Sequence, residues 1–203
     1  MQAITTIGLD IAKSVFQVHG VDAAGQVAIR RQLKRRHVLA FFQKLPPCLV
    51  GIEACASSHH WSRELQALGH TVRLMPPAYV KPYVKRQKND AADAEAICEA
   101  VTRANMRFVE TKTPEQQSCL MLHRTRHLFI RQQTSVINAI RAHLAEFGIV
   151  ARVGRNGVEE LLNVVANPSD KRVPEIARAC LLAFGSQLRR LKEQILEFDR
   201  MIR

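Results

Sequence analysis

A mixed five-stranded α/β sheet flanked by helices, followed by a helical extension, is the fold that this sequence predicts. Three observations carry it. Short apolar, β-branched segments occupy the first third of the chain. Helical patterns separate the later ones. From about residue 90 onward the pattern is helical almost throughout.

Residues 3–9 form the first apolar, β-branched run, and "SVFQVHGVD" has the length and β-branched content of a second strand. "AAG" at 23–25 is the turn, and "QVAIRRQL" returns as a third strand, completing an antiparallel meander. "HVLAFFQKL" reads as a short helix stopped by Pro46 and Pro47. "CLVGIEA" is the compact apolar run of a buried parallel strand. "SSHHWSRELQALGH" starts with a serine N-cap and ends at Gly69, and "TVRLMPP" is the fifth strand. Three antiparallel strands feeding β-α-β-α-β crossovers give the ribonuclease-H-like layout, one of few that this order permits.

"DAADAEAICEAVTRA" reads as a helix with Ala94, Ile97, Cys98 and Val101 on one stripe. A long helix is expected from Pro114 to about Glu146, followed by a loop rich in Gly, Asn and Arg. Leu181, Phe184, Leu188, Leu191, Ile195, Phe198 and Ile202 alternate steps of three and four, the spacing of a and d positions. Two readings of this seam stand: one helix packed on its own domain, or a coiled coil for self-association as a dimer or tetramer. The pattern still runs at Arg203, so the chain is expected to be a fragment of something longer. The expected organisation is one domain over 1–150 and a helical region over 151–203.

The 203 residues carry 30 Lys and Arg against 18 Asp and Glu, a formal charge of +12. That surplus suits a polyanionic partner, because each neutralised phosphate releases condensed counterions. With neither an 18-residue apolar run nor a basic amphipathic helix with an aromatic face, a membrane is excluded. No secretory signal opens the chain, so a cytoplasmic location is expected. Five dispersed cysteines without a C-x-x-C pair read as reduced core thiols. His59, His60, His123 and His127 lack the third ligand that a zinc site needs.

Acids stand out against this charge. Asp10 closes the first strand in "IGLDIAK", and Glu53 closes the fourth in "VGIEACA". In a ribonuclease-H-like sheet those strands are neighbours, so both carboxylates leave the same edge. Asp90 and Asp93 share a face of the following helix. Singly, Asp10 suits a turn, Asp90 an N-cap and Asp93 a first helical turn. Glu53 is costly at the end of a buried strand without a partner. Together, four carboxylates in one place repel unless a cation joins them, and their hard oxygens suit Mg²⁺ or Mn²⁺. Two such ions about 3.5–4 Å apart stabilise the attacking and leaving oxygens of a phosphoryl displacement. Arg63, Lys81, Lys85, Arg86 and Lys88 beside the acids, and Arg124, Arg126 and Arg131 further on, would hold the nucleic-acid backbone.

"GLDIAK", "GIEACASSHHW" and "KNDAADAEAI" resemble the Asp-Glu-Asp-Asp motifs of transposases of insertion-sequence family one-hundred-ten, which includes related pilin-inversion DNA invertases. The resemblance covers roughly residues 3 to 150, with three motifs in order. It implies a RuvC-like domain whose acidic tetrad is matched by Asp10, Glu53, Asp90 and Asp93, and a coiled-coil region after it. It further implies oligomers acting on insertion-element DNA, with a structured guide RNA as second partner. Members carry a C-terminal domain with a serine nucleophile, which this chain would end before. It is therefore expected to bind metal and nucleic acid without completing recombination. Other readings stay open: a stand-alone RuvC-type junction resolvase, or a non-catalytic nucleic-acid-binding module. An actin-like kinase is disfavoured, because "DIAKS" offers Ala12 and Lys13 where phosphate-cradling Gly and Ser or Thr belong.

Overall fold

The computed structural model describes residues 3–84 and 90–202, without the side chains of Asp90 and Arg155. Two compact units divide the chain, Met1–Pro114 and Glu115–Arg203. The expected boundary lay near residue 150, which would have left the long helix with the sheet.

The first unit holds strands β1 (Thr6–Ile11), β2 (Val15–Val21), β3 (Val27–Lys34), β4 (Leu49–Glu53) and β5 (Thr71–Met75). Their order is β3-β2-β1-β4-β5, with β1 antiparallel to β2 and parallel to β4. This is the mixed sheet expected from the order of segments. Asp22 sets the β2–β3 turn, its carboxylate accepting from the backbone N–H groups of Ala24 and Gln26.

Side chains alternate across the strands, so the sheet has two buried faces. On one, Ile7, Leu9, Phe16, Val18, Leu33, Val50 and Ile52 pack with helices α1 (Val38–Phe42) and α2 (Ser58–Ala67) around Trp61 and Leu65. On the other, α4 (Asp90–Ala100) covers the sheet with Ala96, Ile97, Ala100 and the following Val101, beside Val80 of α3 (Pro77–Val80). The expected stripe of Ala94, Ile97, Cys98 and Val101 is buried. The serine N-cap of α2 is corrected. Ser57 takes a left-handed backbone (φ 70°) and makes no capping bond, while Ser58 Oγ donates to the Cys55 carbonyl. After α4 the chain returns to the sheet edge, where Val109 bridges Leu74 antiparallel to it. Ser62 Oγ to Thr111 Oγ1, at 2.6 Å, and the Lys112 N–H donating to His59 Nδ1 pin that return.

The second unit packs α5 (Pro114–Ala145), α6 (Arg155–Ala166) and α7 (Glu175–Ile202) around Ile140, Leu144, Leu161, Leu181 and Leu188. The seam of α7 thus lies largely inside its own unit. Leu181, Leu188 and Leu191 are buried, Phe184 is partly buried against the same core, and Phe198 meets Phe129 edge-on. Ile195 and Ile202 are half-buried.

Arg178 closes the α6–α7 connection. Its guanidinium donates to the carbonyls of Val164, Val165, Asn167, Asp170 and Val173, three of these bonds at 2.6–2.7 Å. Val164 and Val165 belong to the last turn of α6, where carbonyls run out of i+4 donors; the Val164 carbonyl also accepts the Asn167 N–H at 3.3 Å. Arg178→Ala is expected to lower the stability of this unit by about 1.5–3 kcal/mol. Arg178→Lys should recover only part, because an ammonium lacks the planar fork. Thermal melting followed by circular dichroism at 222 nm checks both.

Candidate functional site

Two glycines set the register of the strands that carry Asp10 and Glu53. β1 and β4 run parallel with Gly8 opposite Gly51 and Leu9 opposite Ile52. Asp10 and Glu53 each stand two residues past their glycine and therefore on the glycine's face of the sheet. That face receives α4. A Cβ on Gly8 would lie 2.1 Å from the Ala94 carbonyl oxygen, and one on Gly51 would lie 2.8 Å from Val101 Cβ. The missing side chains let the helix backbone sit directly on the strands. The turn of helix holding Asp93, the neighbour of Ala94, is thereby lowered toward the strand ends that carry Asp10 and Glu53.

Glu53 and Asp93 line one cavity of about 600 Å³, together with Lys81, Pro77, Val80, Val84 and Ile97. Lys81 stands in a short 3-10 turn after α3 and is exposed. Asp10, Glu53 and Asp93 are all half-buried. The Cys55 thiol reports on the first two: burial, then the charges of Glu53 and Asp10, push its pKa up. Among the described residues no three His, Cys, Asp or Glu groups are gathered tightly enough to hold a metal ion. The Asp90 side chain, the fourth expected acid, lies outside the described residues, as do Lys85, Arg86 and Lys88.

The other expected basic residues divide. Arg63 donates to the Lys112 carbonyl at 2.6 Å, tying the returning chain to α2. Arg126 pairs with Asp199 inside the helical unit. Arg124 and Arg131 are exposed on α5. Of the five cysteines, Cys48 and Cys98 are the buried thiols expected, and burial pushes each up to about 11. Cys55, Cys119 and Cys180 are exposed, which corrects that expectation. No helix among the described residues is long and apolar enough to cross a membrane.

Residues 7–149, from β1 to just past α5, match the model of a transposase family, the DEDD transposases of the IS110 type. The chain belongs to the IS110-type DEDD transposases. The match spans Asp10, Glu53, Asp90 and Asp93. The chain is 48% identical over 200 residues to a Pseudomonas aeruginosa protein named "Probable family 20 transposase", covering 98% of this chain and 59% of that one. It is 36% identical over its whole length to the transposase for insertion sequence element IS1328 of Yersinia enterocolitica, covering 60% of that protein. It is 39% identical over 191 residues to the transposase for IS1111A of Coxiella burnetii, covering 94% of this chain and 52% of that one. The chain thus spans between half and three fifths of the length of these IS110-type relatives. What sequence reasoning missed was the pair Gly8 and Gly51. Its signal was present, since both acids follow a glycine at the same spacing, in "GLD" and "GIE".

Proposed function

We propose that this chain carries the acidic centre of an insertion-sequence transposase, with Asp10, Glu53 and Asp93 as its carboxylates and Asp90 as the fourth. The observation that carries the reading is the Gly8–Gly51 register, two residues before Asp10 and Glu53, on whose face the helix bearing Asp93 is seated. The donor set is all carboxylate oxygen, which suits Mg²⁺ or Mn²⁺ over zinc. Such an ion, when bound, would supply Lewis-acid activation and neutralise charge on a phosphate. The chain's own residues hold and orient. Asp10 and Glu53 are fixed by paired strands, Asp93 by a helix packed without intervening side chains. Lys81 offers an ammonium to a phosphate oxygen in the cavity that Glu53 and Asp93 line.

The partners in this reading are insertion-element DNA, as the names of the IS1328 and IS1111A relatives suggest, and a structured guide RNA. The surplus of 30 basic over 18 acidic residues supports a polyanion of either kind. In this reading the acidic centre serves DNA strand cleavage and exchange.

Calorimetric titration of Mn²⁺ into the 203-residue chain tests the centre. Saturable binding is expected, weakened roughly tenfold or more by Asp10→Asn and by Asp93→Asn, since even supporting residues of metal sites contribute that much. Wild-type protein that takes up no Mn²⁺, or an Asp10→Asn variant that binds like wild type, would favour the non-catalytic module instead.

A further inference from the structure

The strongest unassigned charge in the sheet unit lies on β3. Residues 30–37, "RRQLKRRH", hold five cations in eight positions. β3 is the sheet's edge, and its sole buried side chain is Leu33. Cross-strand register shows where these cations face. Asp10 stands opposite Gln17, and Gln17 opposite Gln32. Gly8 stands opposite His19, and His19 opposite Arg30, whose guanidinium lies 3.5 Å from Glu95 of α4. Lys34, two residues beyond Gln32, shares that face. Arg31 lies on the other face, in the same alternation as Leu33.

A polar surface therefore runs outward from Asp10 through Gln17 and Gln32 to Lys34, with Arg30 along one side. Lys13 is exposed in the adjoining β1–β2 turn, where the Ser14 carbonyl also accepts the Arg35 N–H. Among the described residues no acid pairs with Lys13 or Lys34, and Arg30 is 62% exposed despite its contact with Glu95. Alternate residues on a strand recur about every 6.6 Å, near two phosphate steps of a duplex measured along its axis.

From this we infer that the acid-side face of β2 and β3, with the β1–β2 turn, is a docking surface for the backbone of duplex DNA. The inference rests on the acidic-centre reading above, which supplies the choice of DNA and the end of the surface at which chemistry would occur. Three features point to a duplex backbone. Its exposed groups are cations and amides, which suit phosphates. It carries no aromatic ring on which single-stranded bases would stack. It is also continuous with Asp10. A rival explanation is that the charges only guard an edge strand against pairing with other chains. That role needs charge on the edge and is indifferent to the face.

The test compares two charge-matched triple variants of the full chain, K13Q/R30Q/K34Q on the surface and R31Q/K44Q/R107Q elsewhere on the same unit. All six residues are exposed. Binding to a fluorescent 30-base-pair DNA duplex is followed by anisotropy between 50 and 200 mM salt. The surface triple is expected to weaken binding at least tenfold at 100 mM salt. It should also flatten the slope of log K against log salt by two to three, at about 0.9 for each phosphate that is no longer neutralised. The control triple should change the slope by less than one. Equal weakening by both triples would leave only general charge and overturn the inference. So would a surface triple that weakens binding to an RNA hairpin and spares the duplex. Mn²⁺ titration of the same proteins separates the two readings. A surface triple that keeps wild-type Mn²⁺ affinity while losing DNA supports the surface independently of the metal. Wild-type protein that binds the duplex through this surface but takes up no Mn²⁺ would sink the acidic-centre reading alone.

Discussion

Gly8→Ala is expected to destabilise the sheet unit by about 3 kcal/mol or more, the upper end of what overpacking costs. The added methyl would meet the Ala94 carbonyl oxygen at 2.1 Å and the Cys98 backbone nitrogen at 2.4 Å. Both are backbone atoms inside α4, so no rotamer change relieves the clash and the whole helix must lift. Gly51→Ala makes a different conflict, at 2.8–3.1 Å from the side chain of Val101. That clash can be trimmed away. Gly51→Ala is expected to cost about 1–3 kcal/mol, and Gly51→Ala with Val101→Ala should show a favourable coupling of about 0.5–3 kcal/mol. No side-chain truncation should rescue Gly8→Ala. Trp61, the sole tryptophan, is 4% exposed and packs against Phe16, so its fluorescence during urea unfolding reports on this unit. A Gly8→Ala protein within about 0.5 kcal/mol of wild type, the range of neutral surface changes, would mean that α4 does not depend on this contact. Because α4 also carries Asp93, Gly8→Ala should weaken Mn²⁺ uptake even where the protein stays folded.

Strand order was legible because each strand is a compact β-branched run bounded by turn residues, and the crossover rules leave few arrangements for three hairpin strands followed by β-α-β units. The adjacency of Asp10 and Glu53 follows from that order. The depth at which α4 sits does not, since it depends on side chains that Gly8 and Gly51 lack, and hydrophobic periodicity registers only what is present. Which compact unit the long helix packs into was illegible for a related reason. The apolar stripe of α5 tells that the helix buries one face, and Val136, Ile140 and Leu144 would suit either core. In the structure they join Leu161 and Leu181. Spacing likewise marks Arg63 and Arg126 as basic without showing that a carbonyl and a carboxylate from distant positions engage them. The left-handed Ser57 was hidden because serine at a helix start ordinarily caps it.

The heptad seam of α7 allowed two readings, and Leu188 separates them. Its side chain is fully buried among residues of α5, α6 and α7 within one chain. Leu188→Ala is therefore expected to cost about 2–5 kcal/mol, transfer and cavity terms together. The penalty should appear as a loss of helix stability that does not vary with protein concentration. Leu196, eight residues on and 57% exposed, gives the contrast. Leu196→Ala should stay within about 0.5 kcal/mol of wild type. Were the seam instead a contact between copies, Leu188→Ala would leave monomer stability near wild type. Its melting temperature would then rise with concentration less steeply than that of the wild type, because association stabilises by mass action. Melting curves at 222 nm over a hundredfold range of concentration, for wild type and both variants, decide between these outcomes. A concentration-independent loss with Leu188→Ala assigns the first half of the seam to the core of one chain, leaving the half-buried Ile195 and Ile202 as the positions at which self-association can still be sought.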